Sequence, residues 1–395
     1  MSDNHPEIPT PAQELAAEQA DHEAIRHDLQ DLFRGAVRAV LELVLEEEVQ
    51  RIIGAGRYSR AKSRVDSRNG SYLRDLITSL GTIEVRMPRT RNSGAPTHVL
   101  GAYERRVDEV DDAIVASYVN GVSTRNMSQV TEALLGSKVG RSTVSRVTSR
   151  LEEAVEELKK TRIERPIPYL YLDATFLDVR WAGSVENISA LVAYGVNDTG
   201  HRVLLGVTMG PQESEASWSE LLQQLCDRGL HGVRLVITDE HQGLKNAARK
   251  YLPEAKRQRC VVHLLRNVGG KLPKRHRQRV LREASAIFRA EGLKAARAKL
   301  EQFRGRWGKL VPEAVECLVA GFEDSCQFYG FPKGHWTRIR TTNGLERLHG
   351  EIKRRTRAVG AFPDRASALR LITAVALRTT NAWADRRYLD MGLLT

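Results

Sequence analysis

The segments YLYLDATFLDVR (169–180) and VRLVITD (233–239) decide the fold. Both are rich in apolar, β-branched and aromatic residues, which favours buried β-strands. Two further runs of this kind cover 188–197 and 202–209, and the turn sequence NDTG (197–200) joins them. We therefore predict three consecutive antiparallel strands, followed by a fourth strand at 233–238.

Helical patterns separate and follow the later strands. A fifth strand is predicted at about 256–262. The predicted helices of this half of the chain cover 217–228, 243–251, 276–319 and 341–356. Three antiparallel strands, a helix, a strand, a helix and a strand is the order of an α/β domain of the ribonuclease H kind. We therefore predict a ribonuclease H-like mixed sheet over 163–395, with a helical insertion at about 270–335.

Two aspartates stand in these strand patterns. Asp173 lies inside the first strand, and Asp239 directly follows the fourth. Burying a carboxylate is costly unless it is paired, hydrogen-bonded or bound to a metal. Because the first and fourth strands of such a sheet are neighbours, the two carboxylates could hold Mg²⁺, a hard cation that prefers oxygen ligands. A site of this kind supports two-metal phosphoryl transfer.

A third carboxylate is expected from the helix pattern TTNGLERLHGE (341–351), where Glu346 is our choice and Glu351 the rival. Five residues place the two about 140° apart around a helix, so only one can face the aspartates. Asp178 competes with Asp173, but an odd separation along a regular strand places it on the opposite face. The alternative for each acid is a solvated or salt-bridged side chain.

The chain before residue 163 has a different character. Residues 1–24 are acidic and weakly periodic, and we expect a mobile tail. Apolar residues at helical spacing predict a helix over 25–53, which either packs on a core or pairs with a partner helix in a dimer. The rest of the region 25–110 has loops rich in Gly, Arg and Ser and a strand-like run at 81–88, which predicts a small basic hairpin.

Residues 111–162 are expected to bind DNA. The pattern predicts helices at 111–119, 123–135 and 142–158. Ser123 and Ser142 are candidate N-caps, and Gly136 and Gly140 supply a turn. This is the pattern of a helix-turn-helix, and an ordinary helical hairpin with a polar outer face is the alternative. The residues predicted to contact DNA here are Arg141, Ser142, Thr143, Ser145 and Arg146.

The charge balance points to a polyanionic partner. Lys and Arg number 61 against 49 Asp and Glu, a formal net charge of +12, although the first 50 residues are acidic. Nucleic acid is the first choice and an anionic membrane surface the second. No apolar stretch reaches the roughly 18 residues of a membrane span, and the N-terminus lacks a signal-peptide pattern. Four cysteines make no disulfide framework, so we expect a cytosolic protein with free thiols.

Basic residues lie close to the predicted carboxylates in sequence. The run 256–282 has ten Lys or Arg and no acid. Contacts with DNA phosphates are predicted for Lys271, Lys274, Arg275, Arg354 and Arg355. A solvated helix face is the alternative. Three tryptophans could stack on bases, but core packing is their expected role: Trp307, Trp336 and Trp383.

Cys260 and His263 have C-x-x-H spacing, which raises the question of zinc. Two ligands are too few for a structural zinc site. We favour a packed thiol with a histidine near the catalytic carboxylates or DNA.

Taken together, these segments resemble the Mutator-type transposases of bacterial insertion sequences, a branch of the DDE transposase superfamily. The resemblance runs from about Arg34 to Leu389. It rests on the blocks GVSTR (121–125), STVS (142–145), YLDAT (171–175), TDEHQGLK (238–245), QRCVVHLLRN (258–267) and TTNGLER (341–347). Within these blocks, the resemblance marks Cys260, His263 and Asn343 as signature residues.

The resemblance implies a ribonuclease H-like catalytic domain in which Asp173, Asp239 and Glu346 bind Mg²⁺, with Mn²⁺ as a substitute. It also implies cleavage at terminal inverted repeats and transfer of the 3′ hydroxyl to target DNA. The implied partners are element ends, target DNA and further copies of the chain in a synaptic complex. A cytoplasmic, nucleoid-associated location in a bacterium would follow.

One departure from the family pattern is Glu240, where relatives often have glycine, and it leaves open which carboxylate reaches the ion. Two other functions remain as alternatives. One is a non-catalytic DNA-binding regulator, and the other is a structure-specific ribonuclease H-like nuclease.

Overall fold

A computed structural model describes residues 11–59, 61–94, 98–101, 104–181 and 183–394. The chain divides into two compact units. The first unit is formed by Met1–Tyr118 with Ser123–Thr148, and the second by Val119–Val122 with Ser149–Thr395. Within the described residues, every helix is too short or too polar to cross a bilayer.

The first unit begins with a helix of 43 residues, α1 (Pro11–Ile53). Residues 11–24, which were expected to form part of a mobile tail, are therefore helical in this structure. Proline is favoured in the first turn of a helix, and the Ala, Glu, Gln and Leu residues that follow are strong helix formers. Residues 1–10, the rest of the predicted tail, lie outside the described residues.

A hairpin of β1 (Arg68–Thr78) and β2 (Gly81–Thr90) packs against α1. Its buried side chains form one cluster with Leu45 of the helix: Leu76, Ile83, Val85, Met87 and Leu100. A two-stranded hairpin is marginal alone in water, so the helix supplies the apolar surface that stabilises it. The predicted hairpin is confirmed.

Three helices complete the first unit: α2 (Asp108–Val119), α3 (Thr124–Leu135) and α4 (Arg141–Thr148). The Ser123 side chain accepts a hydrogen bond from the Asn126 backbone N–H, which confirms this N-cap. Gly136 ends α3 at φ 65°, a left-handed conformation that glycine adopts without strain.

Two details of the predicted third helix are wrong. The helix starts at Arg141, so Ser142 is not its N-cap, and it ends at Thr148 instead of continuing to residue 158. After Thr148 the backbone makes tighter turns, in which the Glu152 N–H donates to the Ser149 carbonyl. A separate helix, α5 (Leu151–Lys160), then opens the second unit.

The second unit contains a five-stranded mixed sheet. Its strands and the helices between them are β3 (Tyr169–Trp181), β4 (Ser184–Val196), β5 (Arg202–Gly210), α6 (Glu215–Asp227), β6 (Leu235–Thr238), α7 (Gln242–Tyr251) and β7 (Lys256–Arg259). The strand order is β5-β4-β3-β6-β7. Pairing is antiparallel from β5 to β3 and parallel from β3 to β7. The predicted α/β class, the antiparallel meander and the adjacency of the first and fourth strands are confirmed.

Helices α6 and α7 cover one face of this sheet. Trp218 and Leu222 of α6 and Leu244 of α7 are buried in one cluster with Leu170 and Leu172 of β3. This apolar layer anchors β3, the central strand, so Asp173, which directly follows Leu172, is held by a packed core.

The remaining helices are α8 (Val261–Gly270), α9 (Lys274–Ile287), α10 (Leu293–Trp307), α11 (Pro312–Phe322), α12 (Trp336–Ile339), α13 (Asn343–Val359) and α14 (Arg365–Ala384). The strand predicted to 262 ends at Arg259, because Val261 and Val262 already belong to α8. A short apolar run fits a buried helix as well as a strand. Helix α14, which contacts α5, β5 and α13, was not predicted.

Candidate active site

The sheet register brings the two predicted aspartates close together, just beyond the paired segment of β3 and β6. In the parallel pair of β3 and β6, Tyr171 is opposite Ile237. Asp173 and Asp239 each lie two residues further along, and side chains two residues apart share a face of a strand. The carboxylates therefore lie at neighbouring strand positions and on one side of the sheet.

Asp173 is only 7% exposed, and its surroundings disfavour its negative charge. The pKa of its carboxyl group is raised to about 7, chiefly by burial; the nearby Asp239 and Glu213 carboxylates contribute to the rise, and the charge of His263 opposes it. The Ala174 N–H donates to Asp173 Oδ1 at 3.0 Å. Acidic side chains are thus held close together, and burial outweighs the compensating charge of His263.

Helix α13 places two further side chains, Glu346 and His349, near the aspartates. Glu346 lies in its first turn, and His349 follows three residues later on the same helix face. His349 Nδ1 is 3.5 Å from Asp173 Oδ2. Burial lowers the pKa of His349 to about 3, with Lys353 and His263 adding to the effect. His349 is therefore neutral, and its contact with Asp173 is not an ion pair.

Glu346 makes contact with two basic side chains. Arg266 Nη2 donates to Glu346 Oε1 at 3.0 Å, and His263 Nε2 lies 3.7 Å from the same oxygen. His263 also interacts electrostatically with Asp173, so it is near the carboxylates of both Asp173 and Glu346. The structure thus brings all three predicted acids to one region of the second unit.

The described residues contain no group of three or more His, Cys, Asp or Glu side chains arranged to hold a metal ion. The chemistry of Asp173 and Asp239 nevertheless fits Mg²⁺, which is commonly held by one or two carboxylates together with substrate phosphates and water. A divalent cation would offset the cost of burying the Asp173 carboxylate, which is the main cause of its raised pKa, and its repulsion by Asp239 and Glu213.

Glu213 is a site residue that the sequence analysis missed. It follows β5, accepts a hydrogen bond from Trp218 Nε1 at 3.2 Å, and lies 3.7 Å from His241 Nδ1. Burial raises the pKa of its carboxyl group, and the charge of Asp239 raises it further. No strand or helix pattern marks this loop acid, so only its position in the fold reveals it.

Cys260 joins the elements that carry Asp239 and Glu346. Its N–H donates to the carbonyl of Thr238 at 2.7 Å, and its Sγ accepts hydrogen bonds from the N–H and hydroxyl of Thr342, both at 3.3 Å. The Thr342 carbonyl in turn accepts from the Glu346 N–H at 3.0 Å. This buried thiol therefore connects the end of β6 with the start of α13.

The Cys260 and His263 side chains interact with each other. Burial acts to raise the pKa of the Cys260 thiol, but His263 and Thr342 outweigh it, so the pKa is lowered. The Cys260 side chain raises the pKa of His263 to about 9 against the effect of burial, and Asp173 contributes. The arrangement agrees with a packed thiol and a histidine near the carboxylates. Asn343, the third signature residue, is exposed at the start of α13.

The rival acids are engaged elsewhere. Glu240 pairs with Lys245 and, at 3.0 Å, with Arg259 Nε. Asp178 is exposed and accepts a hydrogen bond from Asn187. Because Glu240 and Asp178 already interact with these partners, neither is a better candidate for the site than Asp239 or Asp173.

Glu351, the rival of Glu346, binds two arginines that were predicted to contact DNA. It pairs with Arg354 at 3.1 Å and with Arg355. Arg355 is 4% exposed, so the prediction that it contacts DNA is wrong for this conformation. Its position in α13 turns it inward, with Gly121 against its side chain, whereas Arg354 is exposed.

The other predicted phosphate contacts are on surfaces. Lys271, Lys274 and Arg275 are exposed at the junction of α8 and α9. In α4 of the first unit, four of the five predicted residues are exposed and Thr143 is half-buried, while Val144 and Val147 are buried. Helix α4 thus has an apolar inner face and the polar outer face that the sequence predicted.

The tryptophans pack against protein groups. Trp307 is buried, and its Nε1 donates to Glu283 Oε2 at 2.9 Å, which confirms its expected core role. Trp336 Nε1 donates to the Phe331 carbonyl. The Arg202 guanidinium lies 4.0 Å from the Trp383 ring centroid, a cation–π contact that occupies one ring face.

A five-stranded mixed sheet flanked by helices defines an α/β protein, and its carboxylates gather just beyond the paired segment of β3 and β6. The sequence of residues 10–386 matches the family model described as "Transposase, Mutator family". The chain therefore belongs to the Mutator family of transposases.

Curated relatives agree with this assignment. The transposase of insertion sequence ISRM5 from Rhizobium meliloti (strain 1021) is 36% identical over 91% of both chains. That of IS1081 from Mycobacterium tuberculosis is 34% identical, over 92% of this chain and 89% of its own. That of IS256 in transposon Tn4001 from Staphylococcus aureus is 33% identical, over 91% of this chain and 93% of its own.

Solved structures add little. A cryo-EM structure of the simian T-cell lymphotropic virus intasome in complex with PP2A regulatory subunit B56 gamma is similar at a TM-score of 0.16 and 9% identity. The match covers 46% of this chain and 60% of that one. A TM-score this low supports no fold assignment.

Proposed function

We propose that this protein is a DNA transposase that cleaves at terminal inverted repeats and transfers the 3′ hydroxyl to target DNA by Mg²⁺-dependent phosphoryl transfer. The observation that carries the proposal is the pair of carboxylates, Asp173 and Asp239, which lie close together just beyond the paired segment of the adjacent parallel strands β3 and β6. The strand order, with three antiparallel strands followed by two parallel ones, supports a ribonuclease H-like catalytic domain.

The three acids share one role in this proposal, which is to bind the metal ion. Asp173 and Asp239 hold Mg²⁺ through their carboxylate oxygens, and Glu346 is the third ligand. When bound, divalent ions lower the pKa of the attacking water or hydroxyl and neutralise charge on the leaving oxygen. Arg266, which now pairs with Glu346, can contact a DNA phosphate and thereby release this carboxylate. His349 and Cys260 orient the elements that carry the acids.

DNA binding would come from both units. The outer face of α4 carries Arg141 and Arg146 in the arrangement of a recognition helix. In the second unit, the exposed Lys271, Lys274 and Arg275 offer phosphate contacts. Because these contacts are ionic, we expect the affinity for DNA to fall steeply as the salt concentration rises.

The test is an in vitro cleavage and strand-transfer assay on DNA that carries the inverted repeats flanking the gene, with Mg²⁺ or Mn²⁺. Asp173→Ala, Asp239→Ala and Glu346→Ala should each lose activity by at least roughly a thousandfold while still binding the DNA. Asp178→Ala and Glu351→Gln are matched controls, because they change acids on the same strand and the same helix.

Three outcomes would overturn parts of the proposal. Full activity in Asp173→Ala or Asp239→Ala refutes the ligand assignment. Specific DNA binding without cleavage under any metal condition indicates a non-catalytic regulator. Equal cleavage of junctions and of end-repeat DNA indicates a structure-specific nuclease.

A further inference from the structure

Helix α1 has two apolar faces. The inner face, with Val37, Leu41, Leu45 and Val49, packs on or next to the β1–β2 hairpin. The second face, named here the outer stripe, consists of Leu29, Phe33, Ala36, Val40 and Leu43, all exposed. At 100° per residue, the centres of the two faces lie about 140° apart around the helix. The hairpin therefore cannot cover the outer stripe.

The outer stripe exposes a large apolar area. Its large side chains and the neighbouring Ile25 and Leu32 have exposed fractions of 47% (Leu29), 55% (Phe33), 60% (Val40), 62% (Leu43), 57% (Ile25) and 67% (Leu32). Together they expose on the order of 600 Å² of apolar surface, more than the few hundred Å² common on a monomer. This approaches the roughly 800 Å² that each partner buries in a stable complex.

The spacing of the outer stripe specifies the shape of its partner. Its residues alternate in steps of four and three, the spacing of a coiled-coil seam, which receives side chains from another helix. At 1.5 Å per residue, the outer stripe from Leu29 to Leu43 extends about 21 Å along α1. A second copy of α1 offers the same seam over the same length.

The charges at the two ends of the outer stripe favour one orientation. Arg26 and Glu47 lie seven residues before Phe33 and seven residues after Val40, so they continue the seam at its ends. In a parallel pair, Arg26 would face Arg26 of the other chain and Glu47 would face Glu47, and like charges repel. In an antiparallel pair, Arg26 of one chain faces Glu47 of the other. Ala36, near the centre, allows close approach of the two helices.

We propose that the outer stripe is an antiparallel dimer interface between two copies of this chain. The proposal does not rest on the catalytic function, because it uses only the surface of α1 in the first unit. The sequence left two interpretations of this helix open, core packing and pairing with a partner helix. In this proposal both apply, because one face packs on a core and the other pairs with a partner helix.

The first test measures the oligomeric state of the full-length protein by sedimentation equilibrium. We expect a dimer, and Phe33→Glu combined with Val40→Glu should raise the dimer dissociation constant at least about a hundredfold. Val65→Glu combined with Leu134→Glu is the control, since both residues are exposed apolar positions outside the stripe and this pair should stay dimeric. A monomeric wild type, or a dimer that both double variants leave unchanged, overturns the proposal.

The second test checks the orientation and does not depend on introducing charge into the stripe. Arg26→Glu and Glu47→Arg should each weaken the dimer, and the combined swap should restore it. With a short thiol cross-linker, Leu29→Cys and Leu43→Cys should cross-link to each other when mixed, but not each to itself. The wild type, whose cysteines all lie outside α1, is the blank. Self-cross-linking of each variant, or no rescue by the double swap, refutes the antiparallel pairing.

Discussion

Replacing Asp173 with asparagine should stabilise the metal-free protein at alkaline pH. The folded protein holds the pKa of this carboxyl group at about 7, against 3.8 for the free group, chiefly because the side chain is buried. Asparagine has nearly the same shape, keeps an oxygen for the Ala174 N–H, and carries no charge to desolvate.

The size and sign of this effect follow from proton linkage. The folded state binds the proton of Asp173 more tightly than the unfolded state, so the wild type loses stability as the pH rises from about 4 to 7. Below pH 4 Asp173 is protonated in the folded and the unfolded state, so it does not destabilise the protein. Above pH 7 its charge lowers the free energy of unfolding by at most about 4 kcal/mol. His263, with its pKa raised to about 9, also loses its stabilising contribution as the pH rises from its free value of 6.5 through 9.

The assay is urea unfolding at pH 4 and pH 8 in the presence of a chelator. Asp173→Asn should match the wild type at pH 4 and exceed it at pH 8, and the exposed Asp178→Asn should match it at both. Mg²⁺ added at pH 8 should raise the unfolding midpoint of the wild type but not that of Asp173→Asn. The reasoning fails if Asp173→Asn and Asp178→Asn are equally stable at pH 8. It also fails if Asp173→Asn exceeds the wild type in stability by the same amount at pH 4 as at pH 8.

Two further predictions concern buried side chains. Cys260→Ala leaves the N–H and hydroxyl of Thr342 without their acceptor and should lower the free energy of unfolding by about 2–4 kcal/mol. Cys260→Ser keeps an acceptor and should lower it less. Equal urea midpoints for the two variants would contradict this prediction. Arg355→Ala should destabilise the protein by about 1–3 kcal/mol, because it removes a buried partner of Glu351, and should leave the salt dependence of DNA binding unchanged. Arg354→Ala should have little effect on stability but should lower the slope of log affinity against log salt by roughly one. A lower slope for Arg355→Ala would show that the buried arginine contacts DNA.

Local sequence patterns were sufficient for the strands and for most helices. The apolar run before Asp173 and the turn at 197–200 predicted β3 and β5 to within one residue, and β4 except for its first four residues, because side-chain alternation and turn residues act over short distances. Patterns failed where two structures suit the same residues. Val261 and Val262 fit a strand as well as a helix, and the break after Thr148 has no proline or glycine to mark it.

The site could be predicted only in part. An acid inside a strand is conspicuous, so Asp173 and Asp239 were found from the sequence. Glu213 and His349 were not assigned to the site, because a loop acid and a helical histidine look ordinary until the fold brings them beside Asp239 and Asp173. Arg355 shows the opposite error, since a basic run predicts solvent exposure for every member and cannot tell which one turns inward.

By itself, the sequence determined the α/β class, the order of the strands, the two strand aspartates and the apolar spacing of α1, since all of these depend on neighbours a few residues apart. The tertiary structure alone decided which side chains meet. Only the packing of α8 and α13 near the strand ends brings Cys260 to Thr342 and His349 to Asp173, more than 80 residues apart in the chain. Likewise, only the docking of the hairpin on one face of α1 leaves its other apolar face exposed.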